Sequence, residues 1–473
     1  MSFFQELPAI IQAKILRYCI DAPGNRRQKP VYLSICHEWR ELAKPSFYRF
    51  AYIIEKKKAH SSTDHIQDAD AKLNAEMWSG NIDLILSVHA LRSVKKLYVE
   101  IKTVDGLHDF VQNVSPIFAL DNNELAGVKS MEFRVPVTLE QQFRTTDNFE
   151  REYRVFREEA VKTLSANLSK GIPNILKLDL VSGQDDCFAS ALGSWLAKIY
   201  SNRLKVLSGV APITFGPLQS LPHIIILDIT LDSSATLILP RTNPLMLDML
   251  RLHYVTRRFS WSYFDFNDNS GSICFPNLSS LFLSFVDDVL DADPEYKDTN
   301  GSLTISFPNL KSLCVLDYPQ NYSLFSNCVL PANMEFILLT DALDIFKSME
   351  LNTKTFIEDI SVTIANDPID DQAYQVLNHL FGSSIESKQC RLSVRQQFEP
   401  DIDIIFWPNL EKLDLQAVYF AELIALLPKM HSLQNLTVTE VLFDTLLPNG
   451  IHFDPMQFIN AESALIDCQV SNI

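Results

Sequence analysis

At 473 residues the chain is too long for one ordinary hydrophobic core, so its length calls for several domains or a repeating stack. Apolar residues make up 47% and charged residues 21%, which excludes a disordered chain. Acidic residues outnumber basic ones 58 to 41, and the formal charge of −17 argues against nucleic acid as a partner and for a basic protein surface, or for solubility alone.

Residues 1–50 read as a unit of their own. Leu7-Pro8 opens it, with Pro8 suited to a helix start. Ile11, Ile15, Leu16 and Cys19 fall on one helical face. Asp21–Pro30 breaks that helix with two prolines and a glycine. A second apolar helix comes next, through Val31, Leu33, Ile35, Cys36, Trp39 and Leu42, and Pro45 stops it before Phe47, Tyr48 and Phe50. So short a unit buries little by itself and leans on a partner or on the next segment.

Leu7-Pro8, the Ile11/Ile15/Leu16 face, Ile35-Cys36, Trp39, Leu42, Pro45 and Tyr48 together resemble an F-box. Ile10 stands where that family usually has an acidic residue, and the Asp21–Pro30 loop is longer and more basic than usual. The resemblance implies that Leu7, Pro8, Ile11, Ile15, Leu16 and Trp39 contact a Skp-type adaptor.

Residues 51–90 read as a connector, with a solvated run around Lys56-Lys57-Lys58 and an apolar helix over Ile82–Leu91 that caps the remainder of the chain. From residue 91 one short unit recurs. Its clearest copies are FPNLSSLFL at Phe275–Leu283, FPNLKSLCV at Phe307–Val315 and WPNLEKLDL at Trp407–Leu415. IPNILKLDL at Ile172–Leu180 and LPHIIILDI at Leu221–Ile229 are looser. Further copies open at Val94, Val128, Leu204, Leu247, Met334, Ile357 and Leu433, with a degenerate one at Leu392. The last two apolar positions lie two apart, as in a strand with one buried face. Helical spacing fills several intervals, at Asn148–Ser169, Cys187–Tyr200, Ala342–Ser348, Gln372–Phe381 and Tyr419–Leu427.

This alternation resembles the leucine-rich repeat family across most of the chain. The expected fold is therefore α/β: a small N-terminal helical F-box-like module (1–50), a connector and cap (51–90), then an irregular leucine-rich repeat solenoid of about twelve repeats, a horseshoe, over 91–473. Two polar, acidic stretches interrupt it, Ser260–Ser272 and Asp287–Gly301, and read as long loops.

No catalytic pattern is present: there is no HExxH, no GxSxG and no P-loop. Thirteen glycines in the whole chain fall under the usual share of about 7% and leave little for phosphate loops. His60 and His65 lack companions for a zinc set. Asp291-x-Asp293-x-Glu295 lacks the glycine and closing glutamate of a calcium loop. Eight cysteines without a CxxC pair, mostly in apolar runs, and no signal peptide lead us to expect a reducing compartment, cytoplasmic or nuclear. No stretch has the ~20 apolar residues of a membrane span.

The sequence thus predicts a non-enzyme with no cofactor, no metal and no membrane or nucleic-acid partner. Chemistry is left to the strand residues flanking the buried positions, among them Tyr98, Asp179, Arg251, Phe282 and Asp414 as candidate substrate contacts. Tyr98 and Phe282 are the anchor candidates, since aromatic residues dominate interface energetics. The two resemblances imply a substrate-recognition subunit of an SCF-type ubiquitin ligase, part of a cullin complex. The alternative is an interaction scaffold with no ligase role.

Overall fold

A computed structural model of the chain describes residues 10–12, 14–15, 41, 44, 48–56, 77–87, 90–119, 125–135, 149–182, 187–212, 220–231, 241–256, 259–264, 272–286, 304–319, 324–342, 345, 356–365, 369, 371–382, 386–401, 403–442 and 465–468. Met1–Thr230 and Leu231–Ile473 form two compact units.

The strands of the first unit are β1 (Phe50–Glu55), β2 (Trp78–Gly80), β3 (Lys96–Glu100), β4 (Ser130–Val135), β5 (Lys177–Ser182), β6 (Val206–Pro212), β7 (Ser220–Leu221) and β8 (Ile226–Thr230). All but β7 lie side by side, in the order β2-β1-β3-β4-β5-β6-β8. All neighbours are parallel except β2, which runs antiparallel to β1. Among the described residues, helices α1 (Ile82–Ser87), α2 (Val104–Asp109), α3 (Ser115–Phe118), α4 (Phe149–Gly171) and α5 (Cys187–Ile199) accompany them. On α4, Ala160, Val161, Leu164 and Leu168 make a buried stripe at helical spacing. The helix ends at Gly171, whose missing Cβ leaves room for the backbone carbonyl of Phe118, before Pro173 turns the chain into β5. On α5, Phe188, Leu192 and Leu196 are buried in the same way.

A buried carboxylate ties β1 to α2. Glu55 accepts the backbone N–H of Lys102 and of Thr103, the latter at 2.9 Å, and also the Thr103 hydroxyl. The Thr103 oxygen in turn accepts the Gly106 N–H at 3.0 Å and caps the helix.

The second unit holds β9 (Arg241–Thr242), β10 (Met249–Val255), β11 (Ser272–Cys274), β12 (Ser280–Phe285), β13 (Thr304–Ser306), β14 (Ser312–Leu316), β15 (Cys328–Val329), β16 (Asn333–Thr340), β17 (Phe356–Ile364), β18 (Glu386–Phe398), β19 (Lys412–Tyr419), β20 (Asn435–Leu442) and β21 (Leu465–Cys468). Its main run is β10-β12-β14-β16-β17-β18-β19-β20-β21, parallel throughout. β11, β13 and β15 form a small parallel sheet of their own. Among the described residues of this unit are also helices α6 (Asp371–Phe381) and α7 (Phe420–Leu426).

The recurring Pro-Asn-Leu segment has a clear physical role. Leu278, Leu281 and Leu283 are fully buried, and so are Leu310 and Leu313, and Leu410 and Leu413. Each such side chain contributes roughly 1.5–3 kcal/mol. The asparagine stitches one copy to the chain before it. Asn277 donates its side-chain N–H to the carbonyl of Leu245 at 2.6 Å, Asn309 to Pro276 at 2.6 Å, Asn409 to Gly382 at 2.7 Å and Asn174 to Ala126 at 2.9 Å. The leading aromatic residues stack behind the strands: Phe275 on Phe307 at 5.3 Å, both edge-on to Trp261. Phe325 also meets Trp261, whose indole N–H donates to the carbonyl of Leu324 at 2.9 Å. Trp407 packs similarly with Phe381 and Phe398.

These findings correct the expected architecture. The chain is an α/β fold built on mostly parallel sheet with few helices, in place of a small helical F-box-like module followed by a leucine-rich repeat solenoid. The strand motif marks strands, but among the described residues the connections do not repeat as strand–helix units. Among the described residues, the peptide between β10 and β16 carries a 3₁₀ turn (Trp261–Phe264) and the short strands β11, β13 and β15. Stacked aromatic rings bury the back of those strands, so no helical stripe is required there. Phe50–Glu55 and Trp78–Gly80, within and beside the stretch expected as connector, are strands of the sheet. Ser260–Ser272, expected as a polar loop, begins with Trp261 and Phe264, both fully buried. Its residues 265–271, and residues 287–301, lie outside the described residues. No helix among the described residues is long and apolar enough to cross a membrane.

Candidate functional site

Alternation along each strand sends one set of side chains inward and leaves the next set half-exposed. Register then lines the outward residues into rows.

In the first unit the middle row reads Tyr52, Tyr98, Glu132, Asp179, Ser208, Asp228. Tyr98 donates its hydroxyl to Glu100 at 2.8 Å. Burial, then that hydrogen bond and the Glu100 charge, push the phenol up to about 12. Arg134 lies over the Tyr98 ring at 5.5 Å and donates to Glu132 at 2.9 Å. Asp179 sits one strand beyond Glu132. Burial first, and the Glu132 charge second, raise its carboxyl above the usual range, while Lys177 and a hydrogen bond from Ser208 pull the other way. This row is polar and internally paired.

In the second unit the corresponding row reads Arg251, Phe282, Cys314, Leu338, Ser361, Arg391, Lys412. Its centre is apolar, and Leu316 and Phe336 flank it on β14 and β16, half-exposed. His253 packs on the Phe282 ring at 4.7 Å. Cys314 points outward yet is only 8% exposed, because its row neighbours on β12 and β16 are Phe282 and Leu338. Burial pushes its thiol up to about 11, with Arg251 pulling it back. Arg391 donates to Gln389 at 2.7 Å and stands 3.5 Å from Asp359. The other carboxylate oxygen of Asp359, Oδ1, is buried and accepts no hydrogen bond.

The five predicted substrate contacts separate accordingly. Tyr98 and Asp179 share the first unit's row with Glu132 between them. Arg251 and Phe282 are adjacent partners in the second. Asp414 lies one row up on β19 and pairs with Lys412 at 3.3 Å. Of the predicted adaptor contacts, Ile11 and Ile15 lie on short helical stretches and are 38% and 37% exposed, beside Ile10 at 67%. Leu7, Pro8, Leu16 and Trp39 lie outside the described residues.

No family model and no curated protein matches the chain. Among the described residues, no group of three or more His, Cys, Asp or Glu side chains is placed to hold a metal ion. The predicted contacts omit Glu132, Arg134 and Leu338. The same spacing rule, applied to the copies opening at Val128 and Met334, names all three. Leu338 carries a further signal, an apolar residue at a position that a solvated strand would fill with a polar one.

Proposed function

We propose that this chain is the substrate-recognition subunit of an SCF-type ubiquitin ligase, acting in the cytoplasm or nucleus. Its N-terminal segment docks a Skp-type adaptor, and the outward rows of its strands hold the protein substrate. The chain itself forms no covalent bond; it raises the local concentration of substrate at the ligase. One observation carries the reading, the resemblance of Leu7-Pro8, Ile11, Ile15, Leu16, Cys36, Trp39 and Leu42 to an F-box. The exposure of Ile11 and Ile15 supports it, since a docking contact must be accessible.

Co-purification of the full chain with a Skp-type adaptor tests this. The expected result is a complex that Leu7-Pro8→Ala-Ala weakens, and that Ile11→Glu with Ile15→Glu abolishes. A full chain that captures no adaptor overturns the reading. Ile10, exposed where the family usually has an acidic residue, favours a second reading, an interaction scaffold without a ligase role. Adaptor-free capture of protein clients would support it.

A further inference from the structure

The peptides that lead into β1, β3, β4, β5, β6 and β8 are residues 48–50, 90–96, 125–130, 172–177, 200–206 and 220–226. Together they hold eight Lys and Arg and no Asp or Glu, in a chain whose formal charge is −17. Backbone hydrogen bonds line these peptides up. The carbonyl of Arg49 accepts the N–H of Lys95 and of Lys96, and that of Lys95 accepts Lys129 and Ser130. The carbonyl of Lys129 accepts Leu176 and Lys177, and that of Leu176 accepts Lys205 and Val206, all at 2.7–3.2 Å. Lys95, Lys129 and Lys205 therefore share one line across β3 to β6, with Leu176 between the last two. Among the described residues, these three lysines are exposed and their ammonium groups meet no hydrogen-bond or ion-pair partner. Lys96 beside them is exposed too, 6.0 Å from the centre of the Phe50 ring. Arg203, on the same peptide as Lys205, donates to the neutral oxygens of Pro173 and Asn174.

The ladder does not require this charge. In the second unit the carbonyl of Asp248 accepts Ser279, that of Ser279 accepts Lys311 and that of Lys311 accepts Glu335, at 2.8–2.9 Å. There Lys311 meets Glu335 at 2.8 Å, and Lys388 on β18 meets Glu358 on β17 at 2.6 Å. In the first unit, neighbouring strands about 4.8 Å apart set the lysines within one Debye length of each other, so they repel. An anion laid along the line relieves that repulsion. Width selects the anion. The acidic row of Glu132, Asp179 and Asp228 begins three residues past Lys129, at most ~10 Å away. A duplex or a lipid surface would spread over those acids, whereas a single extended chain fits the line. Single-stranded nucleic acid needs aromatic platforms between its cations, and the ladder positions there are aliphatic, Leu176 and Ile225.

We propose that this line of lysines binds an acidic segment of a partner protein, laid across the entrances of β3 to β6 with Asp or Glu carboxylates on Lys95, Lys129 and Lys205. The line is apart from the outward rows assigned to substrate above, so the inference stands whether or not the chain serves a ligase.

Fluorescence anisotropy of the purified full chain with a labelled ten-residue peptide alternating Glu and Ser tests this. The peptide should bind, and more weakly as salt rises. Lys95→Glu, Lys129→Glu and Lys205→Glu together should weaken it at least about tenfold. Lys311→Glu, Lys388→Glu and Lys412→Glu together change the net charge equally in the second unit and should leave binding within about threefold. If the first triple variant does not fold, Lys95→Gln, Lys129→Gln and Lys205→Gln carry the test, with a loss of at least about threefold. A ten-nucleotide oligothymidylate and phosphatidylserine vesicles, run in parallel, should bind more weakly than the peptide. No binding of the peptide, binding that the first-unit variants leave undiminished, an equal loss in the second-unit variant, or tighter binding of the oligonucleotide or the vesicles would each overturn the proposal.

Discussion

In the first unit the peptide leading into β5 is a helix of 23 residues and the peptide leading into β6 is one of 13. In the second, the described residues leading directly into β12 and β14 form strands of three residues each, closed by a cluster of aromatic rings around Trp261. The strands themselves are alike: both units bury Leu, Ile and Val at alternate positions and stitch copies with an asparagine. The outward rows differ as the backings do, polar and self-paired in the first unit, apolar and cation-flanked in the second. A parallel strand needs its buried face covered, and either a helical stripe or stacked rings will do it. The cover is a property of the connection, so it varies from copy to copy while the strand stays constant.

Two tryptophans give the sharpest way to break this comparison. Trp261 is fully buried and bonded to the Leu324 carbonyl. Trp261→Ala should cost ~3–5 kcal/mol in urea unfolding. Trp195, on α5, is 46% exposed with Lys198 over its ring. Trp195→Ala should cost less than about 1 kcal/mol. Equal losses would show that the rings are not what closes the second unit.

The asparagine stitch should be worth less, and the same in both units. Asn309→Ala and Asn174→Ala each remove one donor from a backbone carbonyl, at about 0.5–1.5 kcal/mol; Asn174→Ala also removes the acceptor of an exposed Arg203 N–H, so it is read beside Arg203→Ala. A loss in only one unit would mean that the shared segment does different work in the two.

The smallest effect belongs to Asp179. Its raised carboxyl means that the folded chain holds the proton more tightly than the unfolded chain does. The ionised form therefore works against folding. The contribution favours the fold below the unfolded value of about 4 and is lost as pH rises through the folded value. Asp179→Asn should raise Tm slightly at pH 7, and the gain should shrink in acid. A fall in Tm at pH 7 would show that the hydrogen bond from Ser208 outweighs burial and Glu132.

The copies opening at Leu278, Leu310 and Leu410 are legible as strands because a period of two and a fixed lead-in survive in the sequence. So are α4, α5 and α6, where apolar residues recur at helical spacing over three turns or more. The strands β1 and β2 are not legible: Phe50–Glu55 is short, and its place is set by pairing with β3, a contact far along the chain. Trp261 is hidden in an apparent polar loop because the acidic and small residues after it dominate the composition of that stretch. Of the candidate contacts, Tyr98, Asp179, Arg251, Phe282 and Asp414 are found by spacing. That Arg251 neighbours Phe282, and that Asp414 is spent on Lys412, depends on register.

By itself the sequence determined where the recurring strands of the copies lie and which face of each is buried, since alternation and the Pro-Asn-Leu lead-in are local properties. Only the tertiary structure decided what covers the strands and which outward side chains stand side by side. Cover and register come from contacts between residues 20 to 50 positions apart, as in the pairing of Phe282 with Cys314 and of Cys314 with Leu338. No local pattern records those partners, because each strand would show the same alternation beside any neighbour.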